Sequence, residues 1–384
     1  MRLLHRKERN NLTIYFVNIL IVILFAILCK YSINVFNGHI IEGRKLYGLI
    51  VCLSFSCIMA FRDLSVGVDT APYSRIFGII ANNSSYMDAI QNAPLSAPAY
   101  VIFCKTLSYF SNDPQIVVIV SSLIINISLM MLVNKVSVSS PISYLSWIGL
   151  TLFYCSMNGS RQCLALVLAL HALVALSENI KNIKAWILFG LAILTHSTAL
   201  VLLFAIVGVM LSNKVADNKM LFIISSVLSI LISFGYGIGV RLVLQFVPRY
   251  SLYTSGDSKY SIFSSTGGGR IIFLYLVLLG VSLLWMLKTY SNNAGSRGFI
   301  EKMLPAVLFG AIFGIVNCKN ELINRLLWYY LGIYVLFIPS VISKYKQYEK
   351  LFLKVGIIGI LLVYSILSLR ENQNGVVPYQ FFWG

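Results

Sequence analysis

Long apolar segments separated by short polar stretches dominate the chain. About 12 of them approach the length of about 20 residues that a membrane-spanning helix requires. They cover residues 12–33, 45–61, 95–111, 114–134, 141–157, 162–178, 185–211, 219–238, 271–287, 303–317, 325–342 and 351–369. The pattern predicts an all-α, polytopic integral membrane protein with about 12 transmembrane helices, forming one membrane domain over residues 1–384.

The composition supports a membrane protein. Hydrophobic residues make up 58% of the chain and charged residues 11%, whereas soluble domains carry about 25% charged residues. The net charge of +17 is scattered rather than gathered on one soluble face, so no nucleic acid is expected as a partner. Four basic residues near the start, Arg2, Arg6, Lys7 and Arg9, predict a cytoplasmic N-terminus and contact with anionic membrane lipid.

The cysteines and carboxylates predict no metal site. The seven cysteines lie mostly within apolar runs and form no CxxC motif, as is typical of packing residues. Carboxylates are not paired at the spacing of metal ligands, and neither a P-loop nor a dinucleotide fingerprint occurs. We therefore expect no metal and no other cofactor.

Two stretches, 62–94 and 236–270, are longer than a connection between helices requires. Long loops in compact proteins are usually functional or disordered. Both stretches contain arginines and aromatic residues, which favours function. In the second stretch the candidates for substrate contact are Arg241, Arg249, Tyr260 and Arg270.

Arg161 stands between the apolar runs 141–157 and 162–178. A cation at a membrane boundary costs desolvation energy, and such residues usually face protein or a water-filled cavity. On a helical wheel Arg161 shares one side with small residues, and small residues mark close packing of membrane helices. These neighbours are Ala165, Leu168, Ala169, Ala172 and Ala175. The wheel favours an internal anion site for Arg161 over the alternative, an interfacial arginine that reaches to the lipid headgroups.

His196 lies well inside the apolar run 185–211. As one helix this run is about 40 Å long, against a membrane core of about 30 Å. It therefore forms either one tilted, kinked helix or two half-helices that meet near residues 195–198. A break there would present His196 as a general base or hydrogen-bond donor; the alternative is a structural histidine.

Further candidates precede and follow these two residues. Asp69 and Tyr73 lie close to Arg62, where a carboxylate could orient arginines or accept a hydroxyl proton; the alternative is a solvated loop. Arg325 opens a helix rich in aromatic residues, including Tyr330, which form either an interface belt or stacking faces for sugars. Three apolar segments separate Arg62 from Arg161, so a literal count of crossings places the two residues on opposite faces of the membrane. Either 95–111, which is short, is not a full crossing, or the predicted cytoplasmic N-terminus is wrong. We favour one shared face, because a joint role of Arg62, Arg161 and His196 requires it.

The order of these motifs resembles the EpsG-type family of Wzy-class polysaccharide polymerases from bacterial inner membranes. The first motif comprises Phe61-Arg62, Gly67-Val68-Asp69-Thr70 and Tyr73. Ser160-Arg161-Gln162 with Ala165 is similar to the family's Arg-Gln motif, and Asn324-Arg325 with Tyr330 to its late Arg…Tyr motif. His196-Ser197-Thr198-Ala199 resembles the His-centred motif, with Thr198 where serine is commoner.

The resemblance implies a glycosyltransferase that joins polyprenyl-diphosphate-linked oligosaccharide repeat units at the periplasmic face, with a glycosyltransferase-C-like architecture. Arginines would stabilise the diphosphate leaving group without a metal. It implies catalytic roles for Arg62, Asp69, Arg161, His196 and Arg325, and substrate contacts for Tyr73, Gln162 and Tyr330. The stretch 236–270 matches the family at no single residue, so its arginines and tyrosines alone make Arg241, Arg249, Tyr260 and Arg270 candidates for substrate contact. A chain-length regulator and a flippase are further implied partners. An O-antigen ligase and a flippase of lipid-linked oligosaccharide are the alternative functions.

Overall fold

The computed structural model describes residues 2–30, 33–35, 39–215, 217–245, 269–289, 298–318 and 321–383. Its chain packs as two compact units. One comprises Met1–Ala172, Asn182–Leu200 and Ile358–Gly384. The other comprises Leu173–Lys181 and Val201–Ile357. The sequence pattern predicts a single membrane domain and gives no indication of this division.

The first unit is a helical assembly with one small hairpin. Its elements are α1 (Arg2–Leu28), β1 (Ile33–Val35), β2 (His39–Ile41), α2 (Gly43–Ala60), α3 (Thr70–Ala81), α4 (Tyr86–Asn92), α5 (Pro98–Ser108), α6 (Gln115–Val136), α7 (Ser140–Gly149), α8 (Leu152–Asn158), most of α9 (Ser160–Glu178) and α10 (Ile183–Thr195). The strands are antiparallel, with Asn34 opposite Ile40. Helices α2 and α6 pack along one another.

The predicted loop 62–94 is largely helical, because α3 and α4 lie within it. The Ser85 side chain caps α4 by accepting a hydrogen bond from the backbone N–H of Asp88, which satisfies one of the free donors at a helix start. The functional loop expected here is therefore a short segment, residues 61–69, that leads into α3.

Two predicted spans are interrupted. In 141–157, Thr151 adopts a left-handed conformation with φ of 62° and separates α7 from α8. In 185–211, α10 ends at Thr195, and a 3₁₀ helix, Ser197–Leu202, follows an extended His196. Of the two alternatives for 185–211, the structure therefore has two helices that meet at residues 195–198.

The second unit contains the remaining helices. They are α11 (Leu203–Lys214), α12 (Asn218–Gln245), α13 (Gly269–Thr289), α14 (Phe299–Lys302), α15 (Leu304–Asn317), α16 (Glu321–Ser343) and the start of α17 (Gln347–Arg370), which ends in the first unit. A Cβ atom on Gly310 would lie 2.6 Å from Cβ of Tyr330. Glycine is thus required where α15 and α16 approach each other.

Eight helices in the described part of the chain are long and apolar enough to cross a membrane, fewer than the 12 predicted. Four predicted spans are not among the eight. One is 12–33, in which the apolar helix counted is Leu12–Leu28 and is too short for the count; the other three are as follows. The segment 95–111 forms α5 of only 11 residues, about 16 Å at 1.5 Å per residue and too short for a core of about 30 Å. Helix α15 has 14 residues, and 141–157 is broken at Thr151. The predicted all-α, multi-pass membrane protein is nevertheless confirmed.

The predicted packing face of α9 is buried in part, since Leu168 and Ala175 on that face are only half-buried. Ala165, Ala169 and Ala172 are each fully buried, whereas large apolar side chains such as Leu20 and Phe352 are 63% and 77% exposed on α1 and α17. Such exposure of leucine and phenylalanine is expected where helices face lipid. Arg161 is therefore at the start of a helix that packs against protein.

Candidate functional site

The segment 61–69 packs against the start of α9. The backbone N–H of Asp69 donates to Oδ1 of Asn158 at 2.8 Å, and the Thr70 hydroxyl donates to the carbonyl of Met157 at 3.3 Å. Gly67 makes this approach possible. Its φ is +97°, and a Cβ there would lie 2.7 Å from the Met157 carbonyl oxygen. These contacts bring the first motif and the Arg-Gln motif to one end of the first unit.

A cleft opens where these motifs meet, and we call it the arginine cleft. It encloses about 300 Å³ of space between the protein atoms and its mouth. Its walls are formed by Arg62, Leu64, Thr70, Tyr73, Ser74, Phe77, Tyr100, Pro114, Val117, Val118 and Ser160.

Arg161 stacks on two tyrosines of the cleft wall. Its guanidinium carbon is 5.5 Å from the centre of the Tyr73 ring and 5.8 Å from that of Tyr100. Both distances are within the range of a cation–π contact. The Nε atom is buried and has no hydrogen-bond partner among the described residues. The two rings thus fix the guanidinium plane while one of its donors stays available.

Arg62 is itself in the cleft wall, whereas Arg161 contacts the wall only through Tyr73 and Tyr100. Arg62 is 1% exposed. Its side chain donates to the carbonyl of Met59, and its Nε has no partner in the part of the chain that the structure describes. Burial lowers the pKa of Arg62 to about 10, against the opposing effect of the nearby Tyr15 and Tyr379 hydroxyls. Arg62 therefore carries a positive charge at neutral pH.

The backbone around Arg62 is held by a buried glutamine. Nε2 of Gln115 donates to the carbonyl of Ala60 at 2.8 Å and to that of Arg62 at 3.0 Å. These carbonyls follow the end of α2, where helical acceptors lose their partners. Gln115 is buried, at 5% exposure. Its two hydrogen bonds therefore fix the backbone from which the Arg62 side chain extends.

Within the described residues, no carboxylate forms an ion pair with Arg62 or Arg161. Buried cations are normally paired, because desolvation of an isolated charge is expensive. Here neutral groups surround them instead: a backbone carbonyl, tyrosine rings and tyrosine hydroxyls. Such an arrangement can bind an anion through planar, charge-assisted hydrogen bonds, for which the guanidinium group is well suited.

The other predicted residues of the first unit lie outside the lining of this cleft. Asp69 is half-buried at the start of α3 and is placed by its bond to Asn158. Gln162 is buried at 3% exposure. Nδ1 of His196 lies 2.6 Å from the Thr198 hydroxyl. Thr198 stands where the family motif more often has serine, and it still places a hydroxyl group beside the histidine.

The predicted residues of the second unit have their own surroundings. The guanidinium carbon of Arg325 is 5.9 Å from the Trp328 ring. The Tyr330 hydroxyl donates to the carbonyl of Val201 at 2.7 Å, and Tyr330 is 1% exposed. Arg270 is half-buried at the start of α13. The side chain of Arg241 and all of Arg249 and Tyr260 lie outside the described residues.

Sequence reasoning missed four parts of this site: Tyr100, Gln115, Asn158 and the segment 374–382. Tyr100 and Gln115 sit in or beside segments that look like ordinary spans, so nothing marks them. Asn158 adjoins Gly159 and Arg161, and a polar residue next to that motif was the available signal. The segment 374–382 contacts residues 61–68, a pairing that no local pattern reveals.

Comparison with known proteins gives one family and no individual relative. No curated protein and no solved structure matches the chain, so the glycosyltransferase-C-like architecture stays a prediction. The EpsG family matches residues 45–381, which include the arginine cleft and every motif described above. The chain therefore belongs to the EpsG family.

Proposed function

We propose that this protein is a polysaccharide polymerase that joins oligosaccharide repeat units carried on polyprenyl diphosphate. Membership of the EpsG family points to a polymerase of the glycosyltransferase type. The observation that carries the finer proposal is the arginine cleft, where two guanidinium groups have buried Nε atoms without partners and no described carboxylate as an ion-pair partner. An anionic group of the substrate would fill that role.

The reaction needs a stabilised leaving group. The oxygen of an acceptor sugar hydroxyl forms a bond to the anomeric carbon of the donor glycan, and the bond from that carbon to the polyprenyl diphosphate breaks. The electron pair of the broken bond stays on the diphosphate, whose growing charge Arg161 and Arg62 would stabilise through hydrogen bonds. The hydroxyl proton passes to a weak base, for which His196 and Asp69 are the candidates.

The location and partners follow from this chemistry. The substrate lipid places the protein in the bacterial inner membrane, with the cleft at the periplasmic face. A flippase would supply the lipid-linked units, and a chain-length regulator would act on the product. The residues proposed to contact the substrate are Tyr73, Gln162, Arg241, Arg249, Tyr260, Arg270 and Tyr330. Arg325 is proposed as a further catalytic residue.

The test is bond formation by purified protein. Full-length protein in liposomes is given polyprenyl-diphosphate-linked repeat units, and the products are separated on a gel. A ladder of increasing chain length is expected. Transfer of finished polymer to a different acceptor would instead identify a ligase, and movement of intact units across the bilayer without bond formation would identify a flippase; either result would overturn the proposal.

A further inference from the structure

The C-terminal segment 374–382, which we call the C-terminal strap, runs antiparallel to the segment that carries Arg62. The backbone N–H of Asp63 donates to the Gln380 carbonyl at 2.8 Å, and that of Phe382 donates to the Phe61 carbonyl at 3.0 Å. These two bonds flank Arg62, which forms a β-bridge with Phe381. The strap therefore holds the backbone of Arg62 from both sides.

The other end of the strap is fitted to the turn that leads into α3. The backbone N–H of Gly67 donates to the Gly375 carbonyl at 2.8 Å. Gly375 has φ of +65°, and a Cβ there would lie 2.6 Å from Cγ2 of Val68. Only glycine fits both the left-handed backbone and this close approach. The strap thus contacts the first motif at both of its ends, residues 61–63 and residues 67–68.

Tyr379 connects the strap to the end of α2, next to Arg62. Its hydroxyl donates to the carbonyl of Ile58 at 2.9 Å, in the last turn of α2. Its ring meets Tyr15 edge to face at 6.0 Å, and the Tyr15 hydroxyl donates to the Val376 carbonyl at 2.6 Å. The carbonyl that accepts from the Arg62 side chain belongs to Met59, the residue after Ile58, so Tyr379 holds the turn on which that side chain rests.

We propose that the C-terminal strap is a positioning element of the active site, which sets the place and direction of the Arg62 guanidinium in the arginine cleft through Tyr379 and the backbone bonds on either side of Arg62. This inference rests on the proposed polymerase function. The bonds of the strap converge on residues 58–68, the segment that carries the cation. The family match ends at residue 381, so it includes almost all of the strap.

Tyr379→Phe is a conservative test of the strap, because it keeps the ring and removes only the hydroxyl group. Tyr348→Phe is the matched control, since Tyr348 is 90% exposed. With polymerisation measured on purified protein in liposomes, we expect kcat of Tyr379→Phe to fall about fivefold to tenfold with KM within about twofold. Gly375→Ala, which displaces the strap from Val68, should give a loss of the same kind, and the control should match the unaltered protein.

A double-mutant cycle separates positioning from general stability. If Tyr379 acts through Arg62, Tyr379→Phe should change kcat by less than about twofold in an Arg62→Lys background. Equal losses in both backgrounds, or unchanged kcat in Tyr379→Phe and Gly375→Ala, would overturn the role of the strap while leaving the polymerase intact. Absence of a ladder with the unaltered protein would overturn both, so the two failures are distinguishable.

Discussion

Replacing Arg161 with alanine removes the cation that the arginine cleft presents on Tyr73 and Tyr100. Loss of one charge-stabilising donor group in an active site costs about 3–4 kcal/mol in the transition state. That corresponds to a fall in kcat of about 100-fold to 1,000-fold. The folded protein should persist, because no described carboxylate forms an ion pair with Arg161 and its removal leaves no opposite charge unpaired.

Arg161→Lys separates charge from geometry. Lysine keeps the positive charge but lacks the planar fork that binds phosphate oxygens in pairs, and it stacks less well on two tyrosine rings. We expect kcat to fall about 10-fold to 100-fold, since two parallel hydrogen bonds become one.

The assay is the rate of ladder formation in liposomes, normalised to folded protein by size-exclusion chromatography in detergent. Arg370→Ala is the matched control, because Arg370 is an exposed arginine at the end of α17. Rates for Arg161→Ala within twofold of the control would refute the role of the cation. A fully active lysine variant would refute only the argument from paired hydrogen bonds.

Substitutions at three further positions test packing, two of them at the site in the first unit and one between helices of the second unit. Gly67→Ala places a Cβ in a left-handed position and 2.7 Å from a carbonyl oxygen; we expect a loss of about 2 kcal/mol in unfolding free energy and slower polymerisation, measured by thermal unfolding and ladder assay. Asn158→Ala removes the acceptor for the Asp69 N–H and should lower kcat about tenfold at normal protein level; an unchanged kcat would contradict this. Gly310→Ala should lower thermal stability by about 2 kcal/mol through Tyr330, and an unchanged melting temperature would contradict the close approach.

The long spans and the packing face of α9 could be predicted because both are periodic. Apolar runs of about 20 residues indicate helix length directly. Small residues three and four positions apart indicate which side of a helix they share. The same logic fails where a span is interrupted. Thr151 adopts a left-handed backbone that no residue preference signals, and α5 has apolar composition without the length to cross a membrane.

The site itself could be predicted only in part. Arg62, Tyr73 and Arg161 stood out as polar residues beside apolar runs, and the structure brings them to one end of the first unit. The groups that position them did not stand out. Gln115 acts through backbone carbonyls, and the C-terminal strap pairs residues more than 300 positions apart. Such contacts depend on the tertiary arrangement and leave no periodic trace in the chain.

The arginine cleft is arranged to keep positive charge available. A carboxylate beside Arg62 or Arg161 would offset the desolvation cost of each cation, but it would also compete with any anionic ligand. Neutral groups offset part of the cost without that competition: the Met59 carbonyl and tyrosine hydroxyls for Arg62, and two tyrosine rings for Arg161. Binding of an anion would offset the remaining desolvation cost. A leaving group that gains negative charge during reaction therefore interacts with the cleft more strongly in the transition state than before it, which is the condition for acceleration rather than mere binding.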